Sequence, residues 1–133
     1  MPANAAVALK PGLRSEELLE LTRDVVDEGA SIHLISLIQV SGDVDVHQRL
    51  NAASLELNRL AGELTEQGFD VNTTVQVATT GLGAQLARIA SKMGCDLIVI
   101  GLVKRTKVGK ALLGSDAQSV LMSAECPVLA ARL

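Results

Sequence analysis

Leu97 to Ile100 (LIVI) is an unbroken run of branched aliphatic residues, bracketed by Asp96 and Gly101. A run without alternation suits a strand covered on both faces, as at the centre of a parallel sheet. Parallel strands need long crossovers, usually helices, so the rest of the chain must supply helices between strands. It does. Ala5 to Leu9 (AAVAL) reads as a first strand, closed by the turn signal Lys10-Pro11-Gly12. Ser15 is a candidate helix N-cap with Glu16 and Glu17 behind it, and Leu18, Leu21, Val25 and Val26 recur at helical spacing before Gly29. Ile32 to Val40 reads as a second strand, and Ser41-Gly42-Asp43 as a turn.

A long helix comes next, with Leu50, Ala53, Leu57, Leu60, Ala61 and Leu64 on one stripe and Gly68 at its end. Val71, Thr73, Val75 and Val77 alternate with polar residues, the period of a half-covered edge strand. Leu82, Leu86, Ile89, Ala90 and Met93 mark a third helix, stopped by Gly94. After the LIVI strand comes an irregular stretch, Gly101 to Leu113, then a last helix announced by the capping pattern Ser115-x-x-Gln118. Pro127 to Ala131 closes as a short edge strand. Strands and helices that alternate in this way imply right-handed crossovers onto one parallel sheet with helices on both faces, in one domain spanning residues 1–133.

Composition narrows the function. Hydrophobic residues make up 48% of the chain but aromatics only 1%, and the net charge is −3. A nucleic-acid binder would ordinarily be basic and, for single strands, would carry aromatic platforms; no nucleic-acid partner is expected. No apolar stretch approaches the ~18 residues of a membrane span, and no positively charged start is followed by an apolar run, so neither membrane insertion nor a signal peptide is expected and the cytoplasm is the predicted compartment. Cys95 and Cys126, each at the start of a strand, are read as free thiols there. His33 and His47 belong to different elements and suggest no metal site.

Ligands of open α/β sheets bind beyond the carboxyl ends of the strands. The stretch GLVKRTKVGKALLGS, residues 101–115, is the strongest candidate: it carries Lys104, Arg105, Lys107 and Lys110 and ends on Gly114-Ser115 at a helix start. Free backbone N–H groups and the helix dipole favour an anion there. Gly101, Lys104, Arg105, Gly114 and Ser115 are the predicted nucleotide- or anion-binding residues. The alternative is a simple helix cap beside a solvated basic face. Gly81-Leu82-Gly83-Ala84-Gln85-Leu86 half-matches a dinucleotide fingerprint but reads better as a tight turn into the third helix.

The same segment resembles the C-terminal signature of the universal stress protein family, G-x2-G-x9-G-[ST], between a DLIVMG-like and a CPVLVVR-like strand. Asp96 to Gly101 leads in, Gly114-Ser115 falls at the right distance, and Cys126-Pro127-Val128-Leu129 closes. The resemblance implies a five-stranded parallel sheet of order 3-2-1-4-5, the adenine nucleotide alpha hydrolase-like fold. It also implies a stress-response or regulatory role and a homodimer paired through the last strand, here Val128, Leu129 and Ala130. ATP or another adenine nucleotide is the implied ligand, held by the signature glycines and Ser115.

Two positions depart from the family pattern. Lys104 stands where the middle glycine is expected. Pro11-Gly12-Leu13-Arg14-Ser15-Glu16 resembles the family's P-x-D-x-S-E with Leu13 in place of the acid that binds adenine. Three readings are open. The first is a regulatory module with a degenerate nucleotide or anion pocket. The second is a dimerisation module without a small ligand, as found fused to cation transporters, with a transporter or signalling partner. The third, a slow ATPase using Asp116, lacks a recognisable catalytic constellation, and no catalytic residue is predicted.

Overall fold

Side chains of β1 (Asn4–Ala8) are short, and Ala5, Ala6 and Val7 have no exposed surface. A strand so placed must have neighbours on both edges and helices on both faces. The computed structural model, which describes residues 1–10, 13–40, 42, 45–102 and 114–133, supplies all four. The described elements run β1, α1 (Ser15–Val25), β2 (Ser31–Ile38), α2 (Val46–Glu66), β3 (Asp70–Val77), α3 (Leu82–Lys92), β4 (Leu97–Leu102), α4 (Ser115–Ser123) and β5 (Val128–Arg132). Every strand pair is parallel, and the order is β3-β2-β1-β4-β5. The expected fold class and strand order are therefore those observed.

Strand alternation sorts the core into two layers. Ala5, Val7, Ile32, Leu34, Leu97 and Val99 face the first pair of helices, where Leu18, Leu19, Leu57, Leu60 and Leu64 meet them. Ala6, Ile35, Ile98 and Ile100 face Leu86, Ala90 and Val120 of the second pair. The LIVI run is buried along its whole length, as a central strand requires. The N-terminal half of α2 has no such cover: Leu50 and Ala53 of the predicted stripe are only half-buried, whereas Leu57, Leu60 and Leu64 are buried.

Several boundaries differ from the sequence expectation. α1 ends at Val25, and Gly29, at φ +73°, serves the turn into β2. Gly68 and Gly94 do follow α2 and α3 at φ +94° and +69°, a conformation that favours glycine. Neither Ser15 nor Ser115 is an N-cap. Arg14 and Gly114 hold those positions, each serine is already the first helical residue, and no side-chain cap bond forms at either end. β4 continues through Gly101 and Leu102, which pair with Ala131 and Arg132, so the irregular stretch begins later than expected. Pro127 precedes β5 and contributes only its carbonyl, which accepts from the Ile98 N–H at 3.0 Å.

The half-dinucleotide motif has a packing role. A Cβ on Gly83 would overlap Ser119, and the Gly83 N–H donates to Ser119 Oγ at 3.1 Å. Glycine thus lets α3 and α4 touch. Gly83→Ala forces them apart and is expected to cost about 1–3 kcal/mol as overpacking, readable by urea denaturation. Stability equal to that of the parent would contradict this role.

His33 lies on β2, buried, with Nδ1 at 3.3 Å from Asn72 Nδ2 and with Nε2 lacking a hydrogen-bond partner among the described residues. Burial lowers its pKa, and the Asp70 carboxylate only partly opposes this. The unfolded chain therefore takes up the proton more readily. Stability should fall as pH drops below the unfolded value of about 6.5. Denaturation curves at pH 7 and 5 should show a smaller loss for His33→Gln; equal losses would exclude His33 as the cause.

Candidate functional site

The carboxyl ends of β1 and β4 lie side by side because β1 pairs with β4, from Ala5 with Leu97 to Val7 with Val99. The segments that leave these two strands therefore meet at the centre of the sheet. Leu13, after β1, lies over Gly101, near the end of β4. A Cβ on Gly101 would stand 2.7 Å from Leu13 Cδ1 and 3.1 Å from Leu133 Cδ1. Both leucines are half-buried and pack onto the α1/α2 side of the core. Methyls of both leucines crowd the space opened by the missing Cβ.

The remaining predicted residues behave differently. Gly114 and Ser115 are exposed at the start of α4, and a Cβ on Gly114 would meet nothing within 4 Å. The Gly114 carbonyl accepts from the Gln118 N–H at 3.0 Å, closing the first helical turn. Asp116 is half-buried in that turn, where its charge complements the helix dipole. Lys104 and Arg105, with Lys107 and Lys110, lie outside the described residues, as does the Pro11-Gly12 turn. The described part of the predicted site is thus one covered glycine and one open helix start.

Beside Leu13 is a hollow of about 350 Å³ lined by Arg14, Ser15, Glu16, Glu17 and Glu56. Its carboxylates are paired: Arg14 Nη1 meets Glu17 Oε2 at 3.2 Å, and Arg59 meets Glu16 at 3.1 Å, Glu56 at 2.6 Å and Glu63 at 3.0 Å. The hydrogen bond from Arg59 lowers the Glu56 pKa, and those carboxylates raise the Arg59 pKa. All these groups are about half exposed, so the network ties α1 to α2 only weakly. Its excess of carboxylates makes the hollow a poor approach for phosphate.

Sequence reasoning did not single out Leu133. Its place follows from the β4–β5 register, in which Gly101 pairs with Ala131 two residues earlier. Cys95 and Cys126 are free thiols packed on the α3/α4 side. Burial first, and then the neighbouring thiol, pushes Cys95 up to about 11; burial also raises Cys126. Neutral thiols are weak nucleophiles and weak metal ligands. Cys95 Sγ instead lies 3.5 Å from Asn4 Oδ1, to which it donates. Asn4 Nδ2 donates to the Met93 carbonyl at 2.9 Å, so this cluster fastens the start of β1.

Comparison with known proteins gives the same picture from sequence and from fold. Residues 6–132 match the universal stress protein family. A universal stress protein of Mycolicibacterium smegmatis is 34% identical over 101 residues, 74% of this chain and 75% of that protein. The structure of a universal stress protein from Archaeoglobus fulgidus superposes with a TM-score of 0.74 at 21% identity, covering 98% of each chain. A universal stress protein from Archaeoglobus fulgidus in complex with dAMP superposes with a TM-score of 0.67 at 19% identity, covering 96% of this chain and 95% of that one. The shared architecture is the adenine nucleotide alpha hydrolase-like fold. With the strand order, the Gly101…Gly114-Ser115 spacing and the match over residues 6–132 in agreement, the chain belongs to the universal stress protein family.

Proposed function

We propose that this protein is a small, non-catalytic regulatory or stress-response module whose nucleotide pocket is degenerate. The observation that carries this reading is the close approach of Leu13, with Leu133 beside it, to Gly101. The Archaeoglobus fulgidus relative in complex with dAMP supports an adenine nucleotide as the ligand class. Leucine cannot accept a hydrogen bond from the adenine amine. A desolvated amine left without its acceptor costs about 1–3 kcal/mol, or roughly one to two decades in affinity. The nearby glutamates oppose phosphate further. Gly114 and Ser115 are exposed at a helix start, where backbone N–H groups favour an anion, and Lys104 and Arg105 are proposed for the same pocket. The pocket thus retains an anion-binding element while losing its adenine acceptor.

Homodimerisation through β5 belongs to the same proposal. Val128 and Leu129 are half-buried and Ala130 is exposed on a strand with one edge unpaired among the described residues. Leu121 and Met122 of the adjoining α4 are 42% and 87% exposed. Pairing with a second copy would satisfy the strand edge and cover part of that apolar surface. The free thiols support a reducing compartment, the cytoplasm. The second reading, a ligand-free dimerisation module of the kind fused to transporters, draws on the same leucine contact and differs only in the ligand.

Calorimetric titration with ATP, ADP, AMP and cyclic AMP separates the readings. Weak binding by the parent protein, strengthened about tenfold to a hundredfold in Leu13→Asp, supports the degenerate pocket. Tight binding by the parent would overturn it. Heat absent for every nucleotide, in the parent and in a folded Leu13→Asp, would leave the ligand-free module. Sedimentation velocity tests the dimer: a species of twice the chain mass is expected, dissociating in Leu121→Glu/Met122→Glu, and a monomer at all concentrations would contradict it.

A further inference from the structure

A second concavity lies at the opposite edge of the sheet. β3 is an edge strand, and the face it turns to α3 carries Thr74 and Gln76. Arg88 and Lys92, one helical turn apart on α3, stand over the same groove. Its volume is about 370 Å³, in the range of small-ligand pockets, roughly 300–1,000 Å³. Ile89 and Met93 add an apolar patch, and among the described residues no acidic one lines it.

The groove has a fixed frame. Gln85 is only 5% exposed, and its amide is fully engaged. Its Oε1 accepts from the Thr79 N–H at 2.8 Å and the Thr79 hydroxyl at 3.2 Å. Its Nε2 donates to Gln76 Oε1 at 3.2 Å and to the Val77 carbonyl at 3.1 Å. This clamp sets the end of β3 against the first turn of α3, so part-buried bonds from a buried side chain frame the groove. Three donors remain uncommitted among the described residues: the Arg88 guanidinium, the Lys92 ammonium and the Thr74 hydroxyl. Arg14 and Arg59 are paired with glutamates, whereas Arg88 and Lys92 have no ion pair among those residues.

We infer that the groove between β3 and α3 binds a small phosphorylated compound. Arg88, Lys92 and Thr74 hold its phosphate, and Ile89 and Met93 support its less polar body. A planar fork, a point charge and a hydroxyl suit a tetrahedral dianion with several acceptor oxygens better than a two-oxygen carboxylate. The site is separate from Gly101 and Leu13, and it stands whether or not the central pocket takes a nucleotide.

The test is NMR titration of the isotope-labelled protein with inorganic phosphate, glucose 6-phosphate and uncharged glucose. Saturable shifts at the amides of Thr74, Arg88 and Lys92 are expected with glucose 6-phosphate, weaker ones with phosphate and none with glucose. The exposed double variant Arg88→Gln/Lys92→Gln should keep the remainder of the spectrum and weaken binding about tenfold or more, as loss of charge-assisted contacts predicts. Shifts that never saturate, that persist unchanged in the double variant, or that appear only at Gly114 and Ser115 would overturn the assignment.

Discussion

Two-sided burial of β1 and β4 is the constraint on which the architecture rests. The β1 core, Ala5 to Val7, is closed to solvent on both faces, and Leu97 to Ile100 run beside it almost as deeply buried. Strands in that position have no polar face to offer, so helices must cover both sides and every connection must cross over. Their carboxyl ends then emerge together. The segment after β1 and the end of β4 become neighbours by topology, before any functional residue is chosen.

At that meeting point, what matters is which side chain occupies the space left by Gly101. A glycine there lets something approach the backbone closely. In this chain the approaching groups are the methyls of Leu13 and Leu133. Retention of the glycine is thus no sign that a ligand is retained; the same gap accommodates an apolar contact. The change also links the candidate site to the core, since both leucines pack onto the α1/α2 layer. An acid at position 13 would exchange that packing for a polar group awaiting a partner, so stability and affinity pull in opposite directions at one residue.

Much of this was legible in the sequence. The unbroken LIVI run, the alternation in Val71 to Val77 and the apolar stripes of the helices each give a strand or helix with a defined burial. Gly114-Ser115 and Leu13 stood out by position. What escaped depends on tertiary placement. Ser15 and Ser115 have the chemistry of caps, but each helix begins one residue earlier, so their hydroxyls fall inside the first turn. Leu133 reaches Gly101 only through the β4–β5 register. Gln85 sits in a sequence that suggests a dinucleotide turn, and its buried clamp arises from the return of α3 along β3. Arg88 and Lys92 carried no signal in the sequence, because only the open face of β3 turns them into a groove.

The central claim is that leucine side chains occupy the space over Gly101 in place of a nucleotide. It is tested most directly by nuclear Overhauser effects between the Leu13 and Leu133 δ-methyls and the Gly101 α-protons, recorded with and without ATP. Strong effects from both leucines, unchanged at nucleotide concentrations that saturate tight adenine-nucleotide sites, are the predicted result. Their absence, or their disappearance as ATP binds at such concentrations, would contradict the account.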